Sequence, residues 1–399
     1  MTTSTHDIRA IEGGVTAARG VTAGATACGI KPSGRPDLAL VASDGPASVA
    51  GLFTTNRVKA APVLLCQDRV AAGRARAVVI NSGNANACTG DAGARAAERA
   101  AAAAGARIGV GAGEVLMLST GVIGVPLPVE RIEAALPALA LSPTGGDAAA
   151  RAIMTTDTRP KTAAVAFEAA GTTVRIGGMA KGSGMIHPDM ATMLAVLTTD
   201  AALAPDALQR HLVAAAGASF NRIDVDGDMS TNDSVLLLAN GASGVTPPDD
   251  LFAAALARVC VALAKGIAAD GEGATKLLEV RVSGAASVDD ANRAARAITR
   301  SNLVKTAMYG NDPNWGRIMC AAGYSGADFD PARARLAVQG IPLFAAGVPL
   351  PFDAAAASSA LRAPEVVVAL DLGAGDDGAT AWGCDFSPEY VHINADYTT

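Results

Sequence analysis

Two hydrophobic patterns alternate along the chain. Short apolar runs bounded by Gly, Pro or polar clusters predict strands, and apolar residues recurring every three or four positions predict helices. The runs place strands at 38–42 and 50–53, with Pro46 at a turn between them, and at 63–65, 77–80, 115–118, 163–167, 173–176, 193–197, 235–238, 278–282, 335–338, 365–372 and 379–385. The longer period places helices at 92–104, 129–138, 147–154, 206–218 and 251–269, the last through Phe252, Leu256, Val259, Leu263 and Ile267. Ser287-Val288-Asp289-Asp290 is a capping box with Asp in place of Glu, and it opens a further helix to about Arg300. Neither an internal repeat nor a low-complexity linker divides the chain.

Gly177 to Asp200, near the midpoint, concentrates the chemistry. A glycine-rich loop is expected over 177–184, carrying Lys181; a turn follows at His187-Pro188-Asp189, then the buried run 193–197. Thr192 stands at the head of that strand. If the bond before it were cut, its hydroxyl would gain a base, because a free α-amine beside it can accept its proton. Against this stands the plain role of Thr as a β-branched strand residue. A phosphate cradle fails on spacing: a P-loop Lys is followed by Ser or Thr, and Lys181 is followed by Gly182.

Composition narrows the class. With 399 residues, half of them hydrophobic and 18% charged, the chain can bury one large core or two ordinary ones. Aromatics make up only 4%, so that core must be built from Ala, Val, Leu and Ile. The net charge of −6 and the lack of a polybasic run argue against a nucleic-acid partner. Six scattered cysteines, with no Cys-x-x-Cys and only four His, suit a reducing cytosol and offer no zinc spacing. Asp224, Asp226 and Asp228 alternate as in a calcium loop, but Met229 stands where Gly is needed and Val235 where Glu is needed. Neither a signal peptide nor an uncharged membrane-length run is read, so a cytoplasmic protein away from the membrane is expected.

Two more loops follow buried runs. Asn81 to Gly90 is rich in small amides and reads as a structural turn. In Ser119-Thr120-Gly121, a hydroxyl and a backbone amide could face one spot, as an oxyanion hole needs.

Taken together, Cys28–Lys31, Asn81–Gly90, Ser119–Gly124, Met154–Thr158, Lys181–Leu194, Asp270–Lys276, Asp312–Ile318 and Asn394–Thr399 resemble the glutamate N-acetyltransferase family, also called ornithine acetyltransferase, over nearly the whole chain. The resemblance implies an α/β fold, layered α/β/β/α and similar to N-terminal-nucleophile enzymes with a topology of its own. It implies self-cleavage between Ala191 and Thr192, giving an α chain (1–191) and a β chain (192–399) that associate as α2β2. It implies Thr192 as nucleophile, Thr120 and Gly121 as the oxyanion hole, and Thr155, Lys181, Thr192, Glu272, Asn394 and Thr399 as substrate contacts, with Thr156 an alternative to Thr155. The substrates implied are N2-acetylornithine and glutamate, exchanged in a ping-pong cycle of arginine biosynthesis. No metal or cofactor is implied, since acetylornithine is the acyl donor; bifunctional members also take acetyl-CoA. From charge, Lys181 suits an α-carboxylate and Glu272 the ornithine ammonium. Two rivals stand beside this: a self-processing amidase or aminopeptidase of similar architecture, and a non-catalytic amino-acid-binding protein.

Overall fold

The computed structural model describes residues 7–187 and 193–396. Ala191, Thr192 and Thr399 therefore lie outside the described residues.

Two β-sheets form the frame. The first has nine strands, in the order Arg9–Ala10, Lys161–Ala169, Thr172–Lys181, Leu194–Thr199, Ser234–Ala239, Leu38–Phe53, Arg74–Asn84 and Val115–Val122, with Val21–Thr26 also paired to Leu38–Phe53. The second has seven: Val348–Pro349, Ile341–Ala345, Arg335–Val338, Glu365–Asp371, Leu277–Ala285, Asp377–Cys384 and Ile223–Asp224.

Helices cover the sheets. Ala61–Val70, Gly90–Ile108 and Gly146–Ala152 close one face of the first sheet. Gly90–Ile108 buries Ala97, Ala100, Ala101 and Ala104 completely, and so many alanines let it lie close to its neighbours. Pro205–Gly217 and Asp249–Ala268 pack on the opposite side. Asp249–Ala268 also touches the second sheet at Asp377–Cys384. It is long and apolar enough to cross a bilayer, but its Phe252, Leu256, Val259, Leu263 and Ile267 are buried in the core. Val288–Arg300, Asn302–Tyr309 and Trp315–Gly323 cover the outer side of the second sheet. The layered α/β arrangement expected from the resemblance is thus present.

The strands from the two sides of residue 192 are interleaved. Leu194–Thr199 pairs antiparallel with Thr172–Lys181 and parallel with Ser234–Ala239, which pairs antiparallel with Leu38–Phe53. Two strands of the later half thus sit between strands of the earlier half, bonded on both sides.

Three local expectations change. The run 63–65 is helical, inside Ala61–Val70, and Pro62 in the first turn is the reason: its fixed φ suits a helix start, where no amide donor is needed. The strands at 38–42 and 50–53 are one strand, Leu38–Phe53, whose register against Arg74–Asn84 shifts between Ala42 and Ala47, so Pro46 falls where the ladder is interrupted. Gly177 to Lys181 belongs to a strand, and only the residues after it leave the sheet. Its glycines serve close approach: a Cβ on Gly177 would lie 1.9 Å from the Gly14 carbonyl oxygen. Asn302–Tyr309 and Trp315–Gly323 are helices that the apolar pattern does not predict.

Candidate active site

The site lies where several strands of the first sheet end together. Arg74–Asn84 and Val115–Val122 run parallel, with Gly83 beside Gly121. Gly121 has φ +130°, and a Cβ there would lie 2.3 Å from the Gly83 carbonyl carbon. Only glycine fits, and the absence of a side chain leaves its neighbourhood to backbone groups.

Asparagines fix these strand ends. The Asn81 amide donates to the Asn84 carbonyl (2.8 Å), and its oxygen accepts from the Ser119 hydroxyl (2.6 Å). Asn232, from the later half, donates to the carbonyls of Ala85 (2.7 Å) and Ser119 (2.8 Å). Asn81 to Asn84 of the amide-rich stretch therefore continue the strand instead of turning, and what these asparagines hold in place is the strand end that carries Thr120 and Gly121.

Lys181 ends its strand directly opposite Leu194, and its side chain is buried. Its Nζ lies 3.9 Å from Asp157 Oδ2. Asp157 in turn bonds Lys161 Nζ, the Gly182 amide (2.7 Å) and the Thr155 amide (3.0 Å), and Lys161 also bonds Asp270. Lys181, Asp157, Lys161 and Asp270 thus form a buried chain of alternating charge. Burial alone would push the Asp157 carboxyl up; Lys181, Lys161 and the Gly182 amide outweigh it and hold it at about 2. Burial draws the Lys181 ammonium down from its usual value, against the pull of Asp157, Glu272 and Asp233.

Glu272 approaches from the end of Asp249–Ala268. Its amide donates to the Ser183 carbonyl (2.8 Å), and its carboxylate accepts from the Asn394 amide (2.8 Å). A Cβ on Gly184 would lie 2.4 Å from that carboxyl group, so the glycine makes room for it. Asp226 accepts from the Ile186 amide (2.9 Å) and the Met185 amide, and Tyr390 donates to it at 3.3 Å. Burial pushes the Asp226 carboxyl up to about 6, despite those amide bonds.

Thr120, Gly121, Thr155, Thr156, Lys181, Glu272 and Asn394 line one cavity of about 120 Å³. Every sequence-chosen site residue among those described is therefore brought together there. Sites for drug-sized ligands run roughly 300–1,000 Å³, so this one suits a ligand of amino-acid size. It is cationic near Lys181 and acidic near Glu272, Asp226 and Asp228. Thr155 and Thr156 both line it. A larger hollow of about 950 Å³, lined by residues such as Arg293, Arg300, Arg317 and Asn314, holds none of the chosen residues.

Sequence reasoning missed Asp226 and Tyr390 as lining residues and Asp157, Lys161 and Asp270 as the support of Lys181. The alternating acids Asp224, Asp226 and Asp228 are visible in the sequence, but their spacing suggests only a calcium loop, which it does not fit. Nothing local to Asp270 foretells its pairing with Lys161 across 109 residues.

Comparison with known proteins shows the family. The model of the ArgJ family matches residues 22–399. A protein of Symbiobacterium thermophilum named arginine biosynthesis bifunctional protein ArgJ is 54% identical over 98% of this chain and 99% of its own length. Its namesake in Thermus thermophilus is 54% identical over 96% of this chain and 98% of its own. The crystal structure of the Bacillus halodurans protein of that name is 44% identical with a TM-score of 0.51, covering 100% of the solved chain but 52% of this one. The chain belongs to the ArgJ family.

Proposed function

We propose that this protein transfers the acetyl group of N2-acetylornithine to glutamate, as an arginine-biosynthesis glutamate N-acetyltransferase, through an acetyl ester on Thr192. The carrying observation is the single cavity that sets Lys181 and Glu272, of opposite charge, together with Thr120 and Gly121. Both substrates carry an α-carboxylate, which Lys181 suits; the side-chain ammonium of ornithine suits Glu272. The register supports the choice of nucleophile: Lys181 stands opposite Leu194, so the chain leading into Leu194 enters beside the cavity.

In the precursor, the Thr192 hydroxyl attacks the Ala191 carbonyl. An N-to-O acyl shift and hydrolysis of the ester then leave a carboxylate on Ala191 and a free amine on Thr192. The solved Bacillus halodurans chain, which matches along its whole length yet spans 52% of this one, has the extent expected of one product of a central cut. The halves stay associated because strands of the later half are bonded on both sides by strands of the earlier one. Two such αβ units pair as α2β2. In the cut enzyme, the hydroxyl attacks the acetyl carbonyl and the α-amine takes its proton. Thr120 and the Gly121 amide stabilise the oxyanion, a contribution of about 3 kcal/mol per donor. Ornithine leaves with a proton returned by the amine, and the glutamate amine attacks the ester in the reverse sense to give N-acetylglutamate. No metal or cofactor takes part, and the reaction belongs to the cytoplasm.

Intact mass under denaturing conditions tests this. Two fragments are expected, the second beginning at Thr192 and gaining one acetyl group when quenched with acetylornithine. Thr192→Ala is expected to stay uncut and inactive. A full-length mass from folded wild type, or an active Thr192→Ala, would overturn the proposal. Acetyl release to water at the rate of transfer to glutamate would favour the amidase instead.

A further inference from the structure

The hollow of about 950 Å³ has no part in the mechanism above, and it shares no lining residue with the cavity that holds Lys181 and Glu272. Three arginines of one helix line it. Arg293, Arg296 and Arg300 recur at three- and four-residue spacing in Val288–Arg300, so they share a face. Arg317, in the first turn of Trp315–Gly323, lines it with them. Among the described residues, no Asp or Glu lines this hollow. The chain as a whole carries a net charge of −6, so this wall runs against the general balance. A recess lined by one sign of charge focuses its field on what enters.

The arginines are not equally engaged. Arg293 bonds Asp289 (2.8 Å) and Asp290, so its charge is met within its own helix. Arg317 donates to the Leu303 carbonyl at 2.9 Å and to the Thr306 hydroxyl at 3.4 Å, neutral acceptors that leave its charge in place. Among the described residues, neither Arg317 nor Arg300 has a carboxylate partner. Two helix starts open on the same space, at Asn302 and at Gly316, and neither first turn carries an acid. Amides of a first turn have no acceptor in their own helix and favour an anion. The arginines set the positive field here and the amides add to it.

We propose that this hollow binds an anion carrying a diphosphate group, held by Arg300 and Arg317. Two arginines without carboxylates call for an anion with more than one charged group, and a guanidinium fork matches phosphate oxygens in pairs. Ligand sites run roughly 300–1,000 Å³, so this hollow has room for more than the diphosphate itself. Tyr324 also lines it and is 63% exposed, which leaves its ring a face on which a base can stack. The two sources of the group are therefore pyrophosphate and a nucleotide. The site stands independently of the acetyl transfer proposed above.

Calorimetric titration of the folded protein with inorganic pyrophosphate, ADP and sodium sulfate tests this. Pyrophosphate and ADP are expected to bind at least about tenfold more tightly than sulfate, and to lose about tenfold or more in affinity in Arg300→Gln and in Arg317→Gln. Added salt is expected to weaken both. Tighter binding of ADP identifies a nucleotide as the source, and ADP no tighter than pyrophosphate identifies the diphosphate itself. Sulfate that binds as tightly as either means a general anion only and overturns the proposal. So does a wild type that binds neither, or an Arg300→Gln that binds both as the wild type does. Arg317 also bonds the chain, so if Arg317→Gln fails to fold, Arg300→Gln decides. The titrations need no acetylornithine, glutamate or cleavage, so their failure is distinct from failure of the proposed transfer.

Discussion

The nine-stranded sheet takes seven strands from the chain before residue 191 and two from the chain after it, whereas every strand of the seven-stranded sheet comes from residue 223 onward. The first sheet therefore depends on both halves, and the second is built from one. Their polar residues differ in the same way. At the strand ends of the first sheet, Asp157, Lys161, Lys181 and Asp233 are buried, and Asn81 and Asn232 are buried with them. The helix-covered face of the second sheet is apolar, with Leu278, Val280, Val282, Val366, Val368 and Leu370. Its buried Glu279 is met by Lys265, Arg281 and Trp382 at the opposite face, where Arg281 is exposed. Buried charge is costly; beside the cavity it forms the run Lys181, Asp157, Lys161 and Asp270, whereas at the second sheet Lys305 and Asp224 meet at the edge strand Ile223–Asp224. The second sheet can stabilise the fold without taking part in the chemistry.

The comparison breaks most sharply at Gly121. Gly121→Ala places a methyl 2.3 Å from the Gly83 backbone at a positive φ. The strand end must shift, taking the proposed oxyanion donors with it. A loss of about 10²–10³ in kcat is expected, comparable to removing an oxyanion donor. Steady-state rates with acetylornithine and glutamate check it, and a kcat within about threefold of wild type would remove Gly121 from the oxyanion hole.

A different effect, on stability and not on rate, is expected at Asp157. Asp157→Asn leaves Lys161 and Lys181 without the carboxylate between them, and breaking a buried pair typically costs about 3–5 kcal/mol. The pH dependence gives a second readout. Asp157 is held at about 2 in the fold against 3.8 ordinarily. Its contribution is therefore complete above about pH 4 and is lost as pH falls through about 2. The stability gap between wild type and Asp157→Asn, from denaturant unfolding, should narrow over that window; a constant gap would mean that charge pairing is not what Asp157 supplies.

How far the sequence reveals the structure follows the range of the interactions involved. Asp249–Ala268 is legible because its apolar period is local, and Val288–Arg300 because Ser287 announces it. Asn302–Tyr309 and Trp315–Gly323 carry the same kind of signal, since Ser301 accepts from the Val304 amide and Asn314 from the Arg317 amide, but their apolar runs are too short to draw attention. The run 63–65 is ambiguous by length, and Pro62 resolves it. The glycines of 177–178 look like a loop because a sequence does not show which backbone will approach them. Within the site, Thr120, Gly121, Lys181, Glu272 and Asn394 were reached through their resemblance to a family. Their supporting residues Asp157, Lys161 and Asp270 were not: Asp157 is only four residues from Lys161, but what joins that pair to Lys181 and Asp270 exists only after distant segments meet.

The smallest expected effect sharpens the contrast from the other side. Ser287 caps the helix that covers the second sheet: its hydroxyl accepts from the Asp290 amide at 3.1 Å and donates to the Asp290 carboxylate at 2.7 Å. Removing an N-cap of this type costs about 1 kcal/mol. That helix meets Leu277–Ala285 and Asp377–Cys384, and neither strand supplies a residue to the cavity that Lys181 and Glu272 line. Ser287→Ala is therefore expected to lower the unfolding midpoint modestly while kcat and KM per folded molecule stay at wild-type values. Should kcat fall with stability intact, the second sheet would be coupled to the site through Asp249–Ala268, the helix that touches both sheets and leads into Glu272. The division between a catalytic sheet and a supporting one would then have to be given up.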